Sequence, residues 1–428
     1  MSRIRRRQLL WATTAGLGAA AVWGLRPHDQ GHPHAPYFAQ LARALKAAGV
    51  AMPTLVIDRE RLHANAAQLR QHVQGRLQLR LVNKSLPCLR LLEEAGRLTG
   101  TRRQMVFNLP YLAQLAARQA DADALLGKPV PAAGAARFLD SLQSAGGFDV
   151  ARQVQWLVDT PHRLAQYRDL ARARRMPMRI NIEIDVGLHR GGVPDVPTLQ
   201  AMIELLRQEP LLQWSGLMGY DAHTQKIPDI GPMRRQAHEH ALQTYQLMAD
   251  HLRRSGLPQP EQGLTFNTGG SPTFRLHDGQ HTPNEVAVGS ALVKPSDFDT
   301  PLLKAMQAAA FIATPVLKVG PYQPPHGVEA IGTLAALWDP NQRQALYVHG
   351  GNWLAHPASP EGMDASRLIG TSSNQQLYLA SGSQRLQPDD LVFFRPTQSE
   401  AVLQQFGDIA VYEDGRITDW WPVFPARV

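Results

Sequence analysis

Residues 80–96 read RLVNKSLPCLRLLEEAG, and this stretch decides the fold. Leu79 to Val82 is an apolar run of strand length. Asn83-Lys84-Ser85 interrupts it with polar side chains. Leu86–Gly96 then reads as a helix, so the segment is a strand, a polar corner and a helix. The same unit recurs on both sides. Thr54–Ile57 is a strand, and Asp58 caps a helix to about His72, with Leu62, Ala66 and Leu69 on one face. Met105–Phe107 precedes a helix opened by Pro110. Gln155–Val158 runs into Asp159-Thr160-Pro161, a good helix start. Arg179–Asp185, Gly216–Tyr220, Leu264–Phe266 and Val286–Val288 continue the series, with helices at about Val196–Arg207 and Arg234–Ser255.

Such repetition over about 250 residues points to a parallel sheet, either a closed (β/α)8 TIM barrel or an open doubly wound sheet. No Gly-x-Gly-x-x-Gly follows the first strand, which leaves a dinucleotide fold without support. The polar residues Asn83-Lys84, Asp185, His189-Arg190, Asp221, His223 and Asn267 to Thr273 fall at strand ends, where a barrel keeps its chemistry. The α/β class with a (β/α)8 barrel is therefore expected. Beyond residue 310 the pattern changes to short strands at Ala313–Val319, Val328–Leu337, Gln344–Val348, Gln376–Leu379, Leu391–Phe394, Ile409–Tyr412 and Ile417–Trp421. Turns such as Asp339-Pro340-Asn341 separate them, which predicts a C-terminal all-β domain. The expected division is a leader and linker at 1–36, a barrel at 37–310 and a β domain at 311–428. The first strand is free to join the β domain.

The chain has 428 residues, 44% of them hydrophobic and 19% charged, which argues against a disordered, fibrous or multi-spanning protein. Its single cysteine, Cys88, excludes an internal disulfide framework and any Cys-cluster metal site. The net charge of +8 invites a nucleic-acid reading, but half of it lies in residues 1–31, where Arg3, Arg5, Arg6, Arg7 and Arg26 face only Asp29. The remaining charge is scattered, so nucleic acid is not an expected partner. Arg5-Arg6-Arg7 followed by the apolar Leu9–Leu25 resembles a twin-arginine export signal. No Ala-x-Ala site precedes Pro27, which leaves an uncleaved membrane anchor open. A periplasmic or inner-membrane location is expected, with a cytoplasmic one as the alternative. His28 to Pro36 reads as a polar linker.

Lys84 would project into the barrel mouth, where burial beside a cation can free a lysine amine for Schiff-base chemistry. Asn267-Thr268-Gly269-Gly270-Ser271-Pro272-Thr273 follows a late strand. Its small residues allow backbone N–H groups to approach an anion, and barrel phosphate sites favour the last βα loops. An early strand-end lysine together with a late Gly/Ser/Thr loop suggests a cofactor with a carbonyl and a phosphate, which is pyridoxal phosphate.

The segments TLVIDRERLHAN, RLVNKSLPC, LLGKPVP, INIEIDVGLHRGGV, GLMGYDAHTQ, FNTGGSPTF and NEVAVGSALV resemble fold-type III pyridoxal-phosphate enzymes of the alanine-racemase N-terminal-domain superfamily. Within it the chain is similar to D-threonine aldolases and D-serine dehydratases. The resemblance implies that Lys84 forms the internal aldimine and that Arg190 lies near the cofactor's phenolic oxygen, unless it pairs with Asp185. It implies that Thr268, Gly269, Gly270 and Ser271 hold the phosphate, and that Tyr220 and His223 line the cofactor. His223 would serve as a proton shuttle. Ala287 stands where alanine racemases carry an arginine against the pyridine nitrogen, which favours lyase chemistry. The metal-dependent relatives hold a divalent metal through a Pro-x-His-x-(Cys/Asp) element. Here Gln398 and Glu400 fill those positions, so no divalent metal is expected, although Glu400 in an oxygen-rich shell could take Mg²⁺ or Mn²⁺. His349-Gly350-Gly351-Asn352-Trp353 would line the same mouth.

The reading is a lyase acting on a D-amino acid or β-hydroxy amino acid, as a homodimer that meets the membrane only through an uncleaved leader. A metal-free racemase or epimerase is the first alternative. A cofactor-binding protein with weakened catalysis is the second. A barrel hydrolase using Asp185 and Asp221 would leave Lys84 without a role.

Overall fold

The computed structural model describes residues 26–142, 147–261, 263–366 and 368–425. The leader Met1–Leu25 lies outside the described residues. Two compact units divide the chain. Of the described residues, one comprises Leu55–Ala310, Pro396–Glu413 and 418–425; the other comprises 26–54, Phe311–Arg395 and Asp414–Ile417. The expected division at 37 and 310 differs from this at both ends. Residues 37–54 belong with the β strands, and residues 396–413 belong with the barrel.

The first unit contains β1 (Thr54–Asp58), β2 (Gln78–Val82), β3 (Arg103–Val106), β4 (Asp123–Leu126), β5 (Val154–Val158), β6 (Met178–Glu183), β7 (Leu212–Gly219), β8 (Thr265–Thr268) and β9 (Glu285–Val288). Strands β2 to β9 close into an eight-stranded barrel. The closing pair is parallel, with Gln78 beside Glu285 and Leu81 beside Val288. The expected barrel is present, but with a different first member. β1 stands outside it and pairs in parallel with β16 (Ile409–Glu413). The missing place is filled by β4, which the sequence reading passed over. Its Asp-Ala-Leu-Leu is short and has no β-branched residue to mark it.

Outward-facing Leu79, Leu81, Trp156, Ile180, Leu217 and Val286 are buried. Burying each such side chain contributes about 1.5–3 kcal/mol. Several helices of this unit start with side-chain caps. Asp58 accepts from Arg61 N at 2.9 Å, Asn108 from Tyr111 N at 2.9 Å, Thr160 from Arg163 N at 3.1 Å and Asp195 from Thr198 N at 2.8 Å. Each cap is worth about 1 kcal/mol.

One irregularity matters for the site. Between β6 and β7 the register shifts, so that Ile180 pairs with Trp214 but Asn181 pairs with Gly216. The extra residue, Ser215, turns the alternation over, and Met218 rather than Leu217 shares the inward side with Glu183. Gly216 is required here. Its φ is +151°, and a Cβ would lie 1.8 Å from Thr265 O.

The second unit is an antiparallel sheet. Its β10 (Ala310–Pro321) pairs along its first half with β15 (Leu391–Pro396) and along its second half with β11 (Gln344–His349). β14 (Gln375–Ala380) follows β11, and β13 (Asp364–Ala365) closes that edge. β12 (Ala355–Ser359) lies on β15. Val328–Leu337, expected as a strand, is a helix over Glu329–Trp338. Its EAIGTLAALW is rich in Ala and Leu, and helix propensity outweighs its β-branched Ile331 and Thr333. The stretch read as a linker is fastened down. Gln30 N donates to Asn341 Oδ1 at 2.8 Å, Gln384 Nε2 donates to His32 O at 2.7 Å, and the His34 ring bridges Ser359 Oγ at 2.8 Å and Leu391 O at 3.0 Å. Tying three residues to groups of the β unit removes the freedom expected of a linker.

Candidate active site

The floor of the barrel is polar. Arg80 is fully buried and makes a two-pronged contact to Glu285, at 2.7 and 3.0 Å. A third bond reaches Asp123 at 3.0 Å. Asn267 Nδ2 and Arg103 also donate to Glu285, at 2.9 and 3.1 Å. Burial opposes the Arg80 charge, but Asp123 and Glu285 outweigh it and drive its pKa up.

Period-two alternation carries the same face upward from Arg80 to Val82 and Lys84. At the mouth Val82 and Lys84 line a cavity of about 110 Å³ with Met105, Phe107, Gly127, Arg190, Met218, Tyr220, Gly269, Gly270, Ser271, Ala287, Ser290 and Glu400 among others. Lys84 is 42% exposed. Its Nζ lies 4.4 Å above the Phe107 ring and 3.6 Å from Glu400 Oε1. The sequence reading looked for a neighbouring cation here, and the neighbour is a carboxylate. Glu400 is itself held: Ser85 Oγ donates to one oxygen at 2.8 Å and Ser399 Oγ to the other at 3.2 Å. Ser290 Oγ touches both serines, at 3.0 and 2.9 Å. Gly127 makes room for Phe107, since a Cβ there would lie 2.3 Å from the ring.

The glycine loop leaves β8 with Gly269 at φ +65°. A Cβ on Gly270 would meet the Tyr220 ring at 2.7 Å. Ser271 Oγ accepts from Gly289 N at 3.2 Å and Ala291 N at 3.0 Å, which ties the last two βα loops together. Beneath the loop, Thr273 Oγ1 accepts from Gly270 N at 3.1 Å and donates to Asp221 Oδ1 at 2.6 Å. His277 Nε2 meets the other Asp221 oxygen at 2.8 Å. Burial pushes the Asp221 carboxyl up, but the His277 bond and charge win and hold it low. Asp221 is thus a brace under the loop. Thr268 is not in the lining, because its hydroxyl is committed to Gly219 O at 2.9 Å.

The Arg190 guanidinium lies 5.1 Å from the Tyr220 ring centre. Asp185 is engaged elsewhere: it accepts from Gly187 N at 2.9 Å, His189 N at 3.0 Å and the His189 ring at 2.7 Å. With Asp221 and Asp185 both saturated, the hydrolase pair has no support. Burial pushes the Tyr220 phenol up to about 12. His223 stands on a short turn, Ala222–Gln225, outside the cavity lining. Burial lowers its pKa, and its Nδ1 is buried without a hydrogen-bond partner among the described residues. Gln398 Nε2 donates to Asp297 Oδ2 at 3.1 Å. Among the described residues no three of His, Cys, Asp and Glu converge as a metal shell. His349–Trp353 is built into the β unit, with Thr314 Oγ1 donating to His349 O at 2.6 Å and Trp353 against Phe394.

Sequence reasoning overlooked Phe107, Gly127, Ser290 and Glu183. Strand alternation from Met105 and Leu125 marks the first two. Glu183 shares the inward side with Met218 at the end of β6, and burial pushes its carboxyl up to about 7. The whole site offers an amine, a guanidinium and a glycine-walled cradle within one cavity.

Comparison with known proteins agrees with this architecture. Among curated proteins no sequence matches. D-threo-3-hydroxyaspartate dehydratase from Delftia sp. HT23 superposes with TM-score 0.68 at 18% identity, covering 88% of this chain and 98% of that one. D-threonine aldolase from Filomicrobium marinum gives TM-score 0.68 at 16% identity, over 88% and 97%. Alanine racemase from Bacillus anthracis gives 0.65 at 12%, over 87% and 98%. At these identities the likeness is one of fold. The sequence profile described as "Alanine racemase, N-terminal domain" matches residues 57–297, more than half of the chain. Members of this family normally use pyridoxal phosphate and small amino-acid substrates. The profile match over residues 57–297 therefore identifies the chain as a member of the alanine racemase N-terminal-domain family.

Proposed function

We propose that the chain is a pyridoxal-phosphate lyase acting on a D-amino acid or β-hydroxy amino acid, resembling D-threonine aldolase and D-serine dehydratase. The observation that carries this reading is Lys84, partly exposed at the barrel mouth in one cavity with Arg190 and the Gly269–Ser271 loop. The residues fit the cofactor. Gly270 and Gly289 are cradle positions where a Cβ would lie 2.7 Å from Tyr220 and from Ser85 respectively. Lys84 would hold the cofactor's aldehyde, Gly269, Gly270 and Ser271 its phosphate, and Arg190 its phenolic oxygen. Once bound, the cofactor supplies an electron sink for negative charge developing at a substrate Cα.

The remaining work falls to the chain's own side chains. Glu400, fixed by Ser85 and Ser399, keeps Lys84 Nζ above Phe107 and aimed into the cavity. Lys84 Nζ is then the group that takes or returns the Cα proton. His223, outside the lining, is a weaker candidate for that role. Ala287 lines the cavity and brings no cation, which supports lyase over racemase chemistry.

Racemisation without a metal is the second reading. It is favoured by Gln398 and Glu400, which are bonded to Asp297, Ser85 and Ser399. The purified chain with pyridoxal phosphate should show a near-visible absorbance band that Lys84→Ala removes. A band unchanged in Lys84→Ala would sink the assignment. Single enantiomers then separate the two chemistries: a lyase yields an oxo acid or aldehyde, and a racemase yields the opposite enantiomer.

A further inference from the structure

The helix Glu329–Trp338 is built inside out. Its small residues, Gly332, Ala335 and Ala336, face the β unit. Gly332 is buried against Pro324, where a Cβ would lie 2.2 Å from the ring. Its large apolar residues face away: Ile331 is 61% exposed, Leu334 67%, Leu337 62% and Trp338 37%. At a helical 100° per residue these four occupy one continuous stripe. A helix of a water-soluble unit ordinarily shows the opposite arrangement. A contiguous apolar stripe of this kind marks a surface that something covers.

The path of the chain says what covers it. The Arg26 guanidinium donates to Trp338 O at 2.9 Å and Leu337 O at 3.2 Å, so it caps the last carbonyls of this helix. Residue 25, immediately before it, ends the apolar stretch Leu9–Leu25. Arg26 is held at the helix end, and His28, Gln30, His32 and His34 after it are bonded to the same unit. A chain entering a bilayer through Leu9–Leu25 would leave it one residue from the helix end. Leu337 and Trp338 would then lie at the depth of the lipid headgroups. An indole beside an arginine suits that boundary.

We propose that the Ile331–Leu334–Leu337–Trp338 face lies in the lipid–water interface of a membrane entered by the leader. The face works as a second contact that fixes how the unit sits on the bilayer. This rests on Leu9–Leu25 being retained and membrane-inserting, and does not depend on the enzymatic reading. Among the described residues no helix is long and apolar enough to cross a membrane, so this helix would lie along the surface.

The test uses the full chain with vesicles of phosphatidylethanolamine and phosphatidylglycerol, with and without brominated acyl chains. Tryptophan emission is compared with that of Trp338→Phe. Brominated lipid should quench the Trp338 component, and its emission should shift to the blue. Leu334→Asp, a change at an exposed position, should abolish both effects while the protein still floats with the vesicles. Flotation with no quenching of Trp338 would overturn the proposal while leaving the leader's insertion intact. Failure to float would overturn both. Concentration-dependent dimers dissolved by Leu334→Asp, with Trp338 unquenched, would give the face to a second copy and likewise overturn it.

Discussion

Arg80, on the inward face of β2, and Lys84, in the turn just past the end of that strand, lie four residues apart, yet the molecule treats them in opposite ways. Arg80 is fully enclosed, and the Glu285 and Asp123 carboxylates bond all three of its nitrogens. Lys84 keeps two-fifths of its side chain exposed and meets a single carboxylate at 3.6 Å. The floor places Arg80 against fixed carboxylates, because an unpaired ion at that depth would be prohibitive. The mouth leaves its amine incompletely paired, so it can still react. The same barrel thus separates a cluster that holds the fold from one that is free to do chemistry.

Three changes would sharpen or break that comparison. Removing the floor's central carboxylate, Glu285→Ala, leaves the buried Arg80 with only Asp123 of its two carboxylate partners and should cost about 3 kcal/mol of stability. Denaturant unfolding measures it, and a loss under about 1 kcal/mol would mean that the floor is not the structural half. At the mouth, Gly270→Ala drives a Cβ into the Tyr220 ring. It should weaken pyridoxal phosphate binding roughly tenfold, about 1.4 kcal/mol, as read by cofactor titration. Unchanged affinity would remove Gly270 from the cradle.

The smallest effect concerns Glu183, at the boundary between the two regions. Burial raises its carboxyl to about 7, so the folded chain keeps a proton that the unfolded chain gives up from the ordinary carboxylate range upward. Stability from this group is complete below that range and is lost as pH rises through about 7. Glu183→Gln should therefore raise Tm by about 2 °C near pH 8 and leave it nearly unchanged near pH 4. An equal shift at both pH values would show that charge is not the cause.

Much of the site was legible because it is local. Lys84 follows an apolar strand, and Gly269-Gly270-Ser271 follows another, so each was visible within ten residues of sequence. Phe107 and Gly127 were less visible, because their meaning depends on which residues of neighbouring strands stand level. In the sequence Glu400 reads as a departure from a metal motif or as an oxygen ligand, not as a partner of Lys84. Its contact with Lys84 joins residues more than three hundred positions apart.

The sequence by itself determined the alternation of strand and helix, the corner that carries Lys84, the glycine loop and the switch to short strands after residue 310. These follow from apolar periodicity, caps and small residues, which act over a few neighbours. Only the tertiary structure decided that β4 rather than β1 completes the barrel, and that Ser215 turns Met218 into the mouth. It also decided that Val328–Leu337 is a helix with its large side chains outward. Each of these depends on closure between distant segments: a barrel's register is fixed only when its last strand meets its first, and no local pattern encodes that meeting.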